Sequence, residues 1–141
     1  MKILVSACLL GENCKYSGGN NLSEKLVEML KGHEVIPVCP EVLGGLPIPR
    51  APGEIVDGVV RNADGTSVDI EYRRGAAIAL KKALESGADF AVLQSRSPSC
   101  GVGMIYDGSF SHVRIPGNGV FAQMLIDNGI PVYDIAEYIS Q

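Results

Sequence analysis

The sequence predicts an α/β fold, a three-layer Rossmann-like domain on a mostly parallel sheet. Three observations carry that expectation. Short apolar, β-branched runs recur at Lys2–Ser6 (KILVS), Glu34–Val38 (EVIPV) and residues 89–94 (DFAVLQ), each followed by a break rich in Gly, Pro or Ser. Longer segments with helix-cap signals lie between them, so strand and helix alternate, the pattern of a parallel sheet with right-handed crossovers. The 141 residues are one domain's worth, 1–141 without an internal linker or repeat. A domain of that size buries about 70 % of the surface its unfolded chain exposes, so its core needs no disulfides.

The elements follow in order. Residues 2–6 read as a buried strand and 7–20 as a glycine-rich loop. Asn21, with Glu24 three residues on, is the expected cap of the first helix; Leu22, Leu26, Val27 and Leu30 share its face, and Gly32 suits the left-handed position past its end. Residues 34–38 form the second strand. The stretch 39–65, with Pro40, Pro47, Pro49 and Pro52, reads as a long loop interrupted by an extended piece at 55–61, and loops of that length are usually functional or mobile. Thr66 or Ser67 should cap the longest helix, with Asp69 and Glu71 in its first turn, Ala76, Leu80 and Ala83 at core spacing, Lys81 and Lys82 towards its end, and Gly87 as terminator. Residues 89–94 are the third strand. An irregular segment with a turn at Asp107 and Gly108 runs to Gly119. A helix over 120–127 ending at Gly129, a short strand at 130–133 and a last helix capped by Asp134 with Glu137 complete the chain.

Composition narrows the function. Apolar residues are 46 % and charged residues 20 %, which fits a packed domain and not a disordered one. A net charge of −4 gives no long-range attraction to polyphosphate, so a nucleobase-sized ligand is expected and not duplex nucleic acid. The start, MKILVSACLL, is too short in its apolar run to span a membrane and lacks a signal peptide's order of regions; a cytoplasmic location is expected. There, four cysteines are reduced thiols or metal ligands before they are disulfides.

Three turns are built alike. SACLLG at 6–11, CPE at 39–41 with GLPIPRAP at 45–52, and SPSCG at 97–101 each place a cysteine at the carboxyl end of a predicted strand. A lone free cysteine is commonly a small buried hydrophobe. Three at equivalent strand ends meet along one sheet edge, which points to one metal or cluster site made by Cys8, Cys39 and Cys100. Soft thiolates suit zinc or an iron-sulfur cluster. No paired CxxC knuckle is present and neither His33 nor His112 has ligand spacing, so zinc is the weaker reading. His33 reads as a solvated loop residue, and His112 as a surface residue with the crevice as its alternative. A cluster on three thiolates leaves one iron open as a Lewis acid.

Cys14 sits among Asn13, Lys15 and Tyr16 and reads as an ordinary loop cysteine, with ligation or a rescuing thiol as the alternatives. Glu41, two residues past Cys39, is a candidate general acid or base; its plainer roles are a salt bridge to Arg50 or a helix cap. Ser97 is a candidate for orienting substrate or water, and Ser99 for substrate contact, each with turn hydrogen bonding as the plainer role. Arg50 is a candidate substrate anchor or a partner of Glu54. No GxGxxG, Walker or GxSxG pattern occurs.

Taken together, VSACLLG, KYSGG, VCPEVLGGLPIPR and SPSCG resemble a bacterial domain family long labelled as of unknown function, some members of which are thiouracil desulfidases. The resemblance covers essentially the whole chain. It implies a compact Rossmann-like fold, a four-iron four-sulfur cluster held by Cys8, Cys39 and Cys100, and Glu41 and Ser97 in the positions of the family's catalytic carboxylate and serine. It implies a non-redox desulfidase for a thiolated pyrimidine, with the substrate sulfur on the open iron, Glu41 activating water or relaying a proton, Ser97 positioning the base, and sulfide released. Members usually carry an apolar residue where this chain has Cys14, which speaks against Cys14 as a family ligand. The rival expectation is a non-catalytic iron-sulfur or zinc protein acting as carrier, sensor or interaction module.

Overall fold

The computed structural model describes residues 1–141. In chain order its first elements are β1 (Lys2–Ser6), a 3-10 turn (Ala7–Leu10), α1 (Glu24–Met29), β2 (Glu34–Val38), α2 (Pro40–Leu43), β3 (Gly53–Val56) and β4 (Val59–Asn62). There follow α3 (Asp69–Ser86), β5 (Phe90–Leu93), β6 (Met104–Tyr106), β7 (Arg114–Pro116), α4 (Val120–Asp127), β8 (Val132–Asp134) and α5 (Ile135–Ile139). No helix is long and apolar enough to cross a membrane.

The four-stranded sheet has the order β2-β1-β5-β8, all parallel, with Lys2 opposite Glu34, Ser6 opposite Val38, Ile3 opposite Phe90 and Ala91 opposite Val132. Because strand side chains alternate between faces, β1 divides its residues between two cores. Ile3 and Val5 join Val92, Leu26, Leu30 and Ile135 under α1 and α5. Leu4 joins Ala91 and Leu93 on the opposite face, under Tyr72, Ala76, Ala79 and Ala83 of α3 and Phe121, Ala122 and Leu125 of α4. That is the three-layer α/β arrangement the sequence predicts. Each fully buried Leu or Phe contributes about 1.5–3 kcal/mol over its exposed state, so the two cores together fix the strand ends that carry the cysteines.

Several local expectations change. Ser23, not Asn21, caps α1, its Oγ accepting the Leu26 N–H at 3.2 Å, and Leu22 and Val27 are exposed rather than packed with Leu26 and Leu30. The helix is too short to bury so wide a stripe. The N-cap position of α3 is Val68, one residue later than expected; Ser67 Oγ accepts the Asp69 N–H at 3.5 Å from just outside the helix, Ser67 also bridges to Arg61, and Asp69 Oδ1 accepts the Val60 N–H at 2.9 Å. Asp69 thus ties the helix start to β4. The face of α3 runs through Tyr72, Gly75, Ala76, Ala79 and Ala83, with Leu80 only partly buried. Gly87 ends α3 at φ 71° and Asp134 caps α5 through the Ala136 N–H, as expected.

The extended piece at 55–61 is an antiparallel hairpin, β3 with β4, turning at Asp57 and Gly58. A second hairpin, β6 with β7, occupies a segment expected to be irregular; its strands are three residues each and β7 is exposed throughout, so no alternation marks it. The last strand lies at Val132–Asp134 rather than 130–133, since Pro131 has no N–H to give a ladder.

Helix α2 lies against α3 with backbone nearly touching backbone. A Cβ on Gly75 would overlap the Pro40 carbonyl oxygen, and one on Gly44 would overlap the Glu71 carbonyl oxygen. Gly75→Ala is therefore expected to cost about 1–3 kcal/mol, read as a lowered urea midpoint of the metal-free chain; an unchanged midpoint would contradict the close approach. Burial raises the Asp69 carboxyl, but the Arg73 guanidinium and the Val60 N–H lower it further, leaving it below the ordinary carboxylate range. A carboxyl so lowered on folding adds stability above its unfolded value of about 3.9, and that stability is lost as pH falls through the folded value. In urea titrations from pH 5 to below about 3, Asp69→Asn should show a shallower acid loss than the natural protein.

Candidate functional site

In a sheet of order β2-β1-β5-β8 the chain leaves β1 towards opposite edges, and the crevice above the carboxyl ends of β1 and β5 is where such sheets bind ligands. A cavity of about 470 Å³ opens there. Cys8 reaches it from the 3-10 turn after β1, Cys39 from the position just before α2, and Cys100 from the turn after β5. The predicted convergence is present. Cys8 and Cys39 are half-buried and Cys100 is buried.

The electrostatics place these thiols as mutual neighbours. Burial pushes the Cys8 thiol up, and Cys39 and Glu41 push it further, against a hydrogen bond from Asn21 Nδ2 at 3.6 Å. Burial pushes Cys100 up strongly, with Glu41, Cys8 and Cys39 adding to it and Ser6 opposing. Ser6 Oγ accepts the Gln94 N–H at 3.0 Å, which leaves its proton for the Cys100 sulfur. The raised Cys8 and Cys100 thiols are a condition that a cationic centre reverses, since metal ligation requires thiolates and supplies the missing positive charge. No three His, Cys, Asp or Glu side chains are arranged to hold a single metal ion.

Cys14 departs from its expectation. It is buried, 7 % exposed, and lines the same cavity beside Cys39, whose thiol donates to the Cys14 carbonyl oxygen at 3.8 Å. Its own thiol is pushed up to about 12 by burial and then by Cys39, Cys8 and Glu12. The loop folds inward because Arg50 Nη2 holds the Cys14 carbonyl at 2.8 Å and Asn20 donates to Asn13 at 2.9 Å. Polar neighbours in sequence conceal that inward turn.

Glu41 stands in the first turn of α2 with Pro40 before it. Its Oε1 accepts from Tyr72 Oη at 2.7 Å and from Arg50 Nε at 3.2 Å. The Arg50 and Glu41 side chains are 7 % and 17 % exposed. Arg50 Nη1 donates to the Pro47 carbonyl at 3.2 Å, so Nε, Nη1 and Nη2 each have a partner within the protein and the guanidinium braces the loop at the cavity wall. Nor does it pair with Glu54, whose Oε1 accepts the Gly108 and Phe110 N–H groups and so carries the 107–113 loop to the cavity mouth.

Ser97 lines the cavity, and its Oγ accepts the Ser99 and Cys100 N–H groups, each at 3.0 Å. The turn role and the cavity position therefore coexist, with the hydroxyl proton still free to donate. Ser99 is not among the lining residues: it is fully buried, its hydroxyl has no partner, and its carbonyl accepts the Phe121 and Ala122 N–H groups at the start of α4. Burial beneath α4 removes it from substrate contact. His112 does line the cavity, edge-on to Tyr106 at 5.9 Å, whereas His33 stays exposed beside the N-terminal amine.

Tyr72, Ser6 and Asn21 escaped sequence reasoning as site residues. Tyr72 carried a readable signal, because a tyrosine on the core face of a helix of alanines needs a buried partner for its hydroxyl. Asn21 and Ser6 carried none.

The chain is similar to the solved structure of TudS, a [4Fe-4S]-dependent thiouracil desulfidase, with a TM-score of 0.88 and 41 % identity over 94 % of this chain and 89 % of that one. It is 40 % identical over 140 residues to YbbK of Bacillus subtilis (strain 168), an uncharacterized protein, covering 92 % of this chain and 93 % of YbbK. The profile of the 2-thiouracil desulfurase family matches residues 3–137, and the chain belongs to that family.

Proposed function

We propose that this protein is an iron-sulfur-dependent desulfidase that replaces the sulfur of a thiolated pyrimidine, such as thiouracil or its nucleoside, with oxygen from water. One observation supports it most: thiols from three separate strand ends and a braced carboxylate line one cavity. Cys8, Cys39 and Cys100 would hold the cluster. Each thiol of that set neighbours the others, and the donor set is the one iron-sulfur clusters take. When bound, a cluster on three thiolates offers one iron as a Lewis acid for the substrate sulfur and polarises its C–S bond.

The chain's own groups supply the rest. The reaction adds water across the thiocarbonyl carbon and releases hydrogen sulfide, so no electrons are exchanged and no external reductant is needed. Glu41 takes the water proton on Oε2 and returns it to the departing sulfur. Ser97 donates its free hydroxyl proton to a ring oxygen or nitrogen and holds the pyrimidine in place. The mouth, with Tyr16, Tyr106 and Phe110, offers aromatic faces for a flat base. The acidic charge favours a free base or nucleoside over nucleic acid, and four cysteines read as thiols or metal ligands support a cytoplasmic location for the single domain, 1–141.

Protein purified under argon should contain iron and acid-labile sulfide in equal amounts and release sulfide from thiouracil. Cys8→Ala, Cys39→Ala and Cys100→Ala should each lose the iron. Glu41→Gln should retain it and lose activity by about 100-fold or more, the scale of a general acid-base group. Zinc in place of iron, or an iron-loaded protein that releases no sulfide, would overturn the proposal.

A further inference from the structure

We infer that Tyr72 is the positioning residue for Glu41: its hydroxyl, together with Arg50, holds Oε1 so that the carboxylate meets the reacting water through Oε2 alone. The inference rests on the desulfidase reading of the site. The phenol donates to Oε1 at 2.7 Å and Arg50 Nε donates to the same oxygen at 3.2 Å. Oε2 makes no hydrogen bond within the protein and is not sealed from the cavity, since the only fully buried side-chain oxygen or nitrogen without a partner is Ser99 Oγ. Two donors on one oxygen and none from the protein on the other give the carboxylate a single working face.

Helix α2 alone does not confer that orientation, because Pro40–Leu43 is barely one turn and Glu41 has rotatable bonds beyond it. The constraint comes across the cavity floor from α3, where Tyr72 is 2 % exposed. Its place is prepared from a third element. A Cβ on Gly53 in β3 would stand 2.9 Å from the Tyr72 hydroxyl oxygen, so the missing side chain is the notch into which the phenol fits. Burial and then the Glu41 charge hold that phenol far above its ordinary range, so it remains a donor. Tyr72 therefore acts through Glu41 and touches no substrate.

Tyr72→Phe keeps the ring and removes the donor. In cluster-loaded protein with natural iron content, kcat should fall by roughly 10- to 100-fold, the scale of one hydrogen bond to a charged group, while KM stays within about twofold. A wild-type kcat, or a loss confined to KM, overturns the inference. Metal-free protein gives a second readout: in thermal unfolding, Tyr72→Phe, Glu41→Gln and the double variant should be non-additive, and additivity overturns the inference. Should Tyr72→Phe not fold, Gly53→Ala decides by the same kcat and KM criterion, because its Cβ displaces the phenol. Failure of the wider reading is distinct: there, the cluster-loaded natural protein itself would release no sulfide, while the unfolding cycle on metal-free protein still reads the Tyr72–Glu41 contact.

Discussion

Everything at the site depends on the parallel register of β1 with its neighbours. Ser6 stands opposite Val38, and Val5 opposite Val92, so the three strands finish almost level. Cys8 and Cys39 follow within two residues of their strand ends, while the 97–101 turn brings Cys100 back to the same height. A register slip of one residue would turn every side chain of a strand to the other face, exchanging the contents of the two cores. Ile3 and Val5 on one side and Leu4 on the other oppose such a slip.

The second constraint is the contact between α2 and α3. Gly44 and Gly75 let carbonyl oxygens approach where a methyl group would not fit, and that approach brings Tyr72 within reach of Glu41. Packing here is a condition for chemistry, because the carboxylate that carries the charge and the phenol that orients it stand on different helices. Arg50 closes the arrangement from the loop side, linking Glu41 to the Cys14 carbonyl. Loop, short helix and long helix are thus held through one carboxylate oxygen.

The thiols present the opposite situation. Cys8, Cys14 and Cys100 are desolvated and lie near other thiols, so these three resist ionisation more than an exposed cysteine does. Hydrogen bonds from Asn21 and Ser6 oppose this only in part. An environment that disfavours thiolates without a cation and stabilises them with one suits a bound centre better than a free nucleophile. Cys14 shares it next to Cys39 and is not among the neighbours that raise Cys100.

By itself the sequence determined the alternation of strands and helices, the glycine and aspartate boundaries at Gly87 and Asp134, and the gathering of Cys8, Cys39 and Cys100 at one edge. Those features follow from local periodicity, cap chemistry and the geometry any parallel sheet imposes. Only the tertiary structure decided that Cys14 turns inward, that Arg50 pairs with Glu41 and not with Glu54, that Ser99 is buried beneath α4, and that Tyr72 reaches the carboxylate. Each is a contact between segments distant along the chain, and a side chain's partner across such a distance is selected by packing and desolvation of the folded molecule, for which a residue's neighbours in sequence carry no signal.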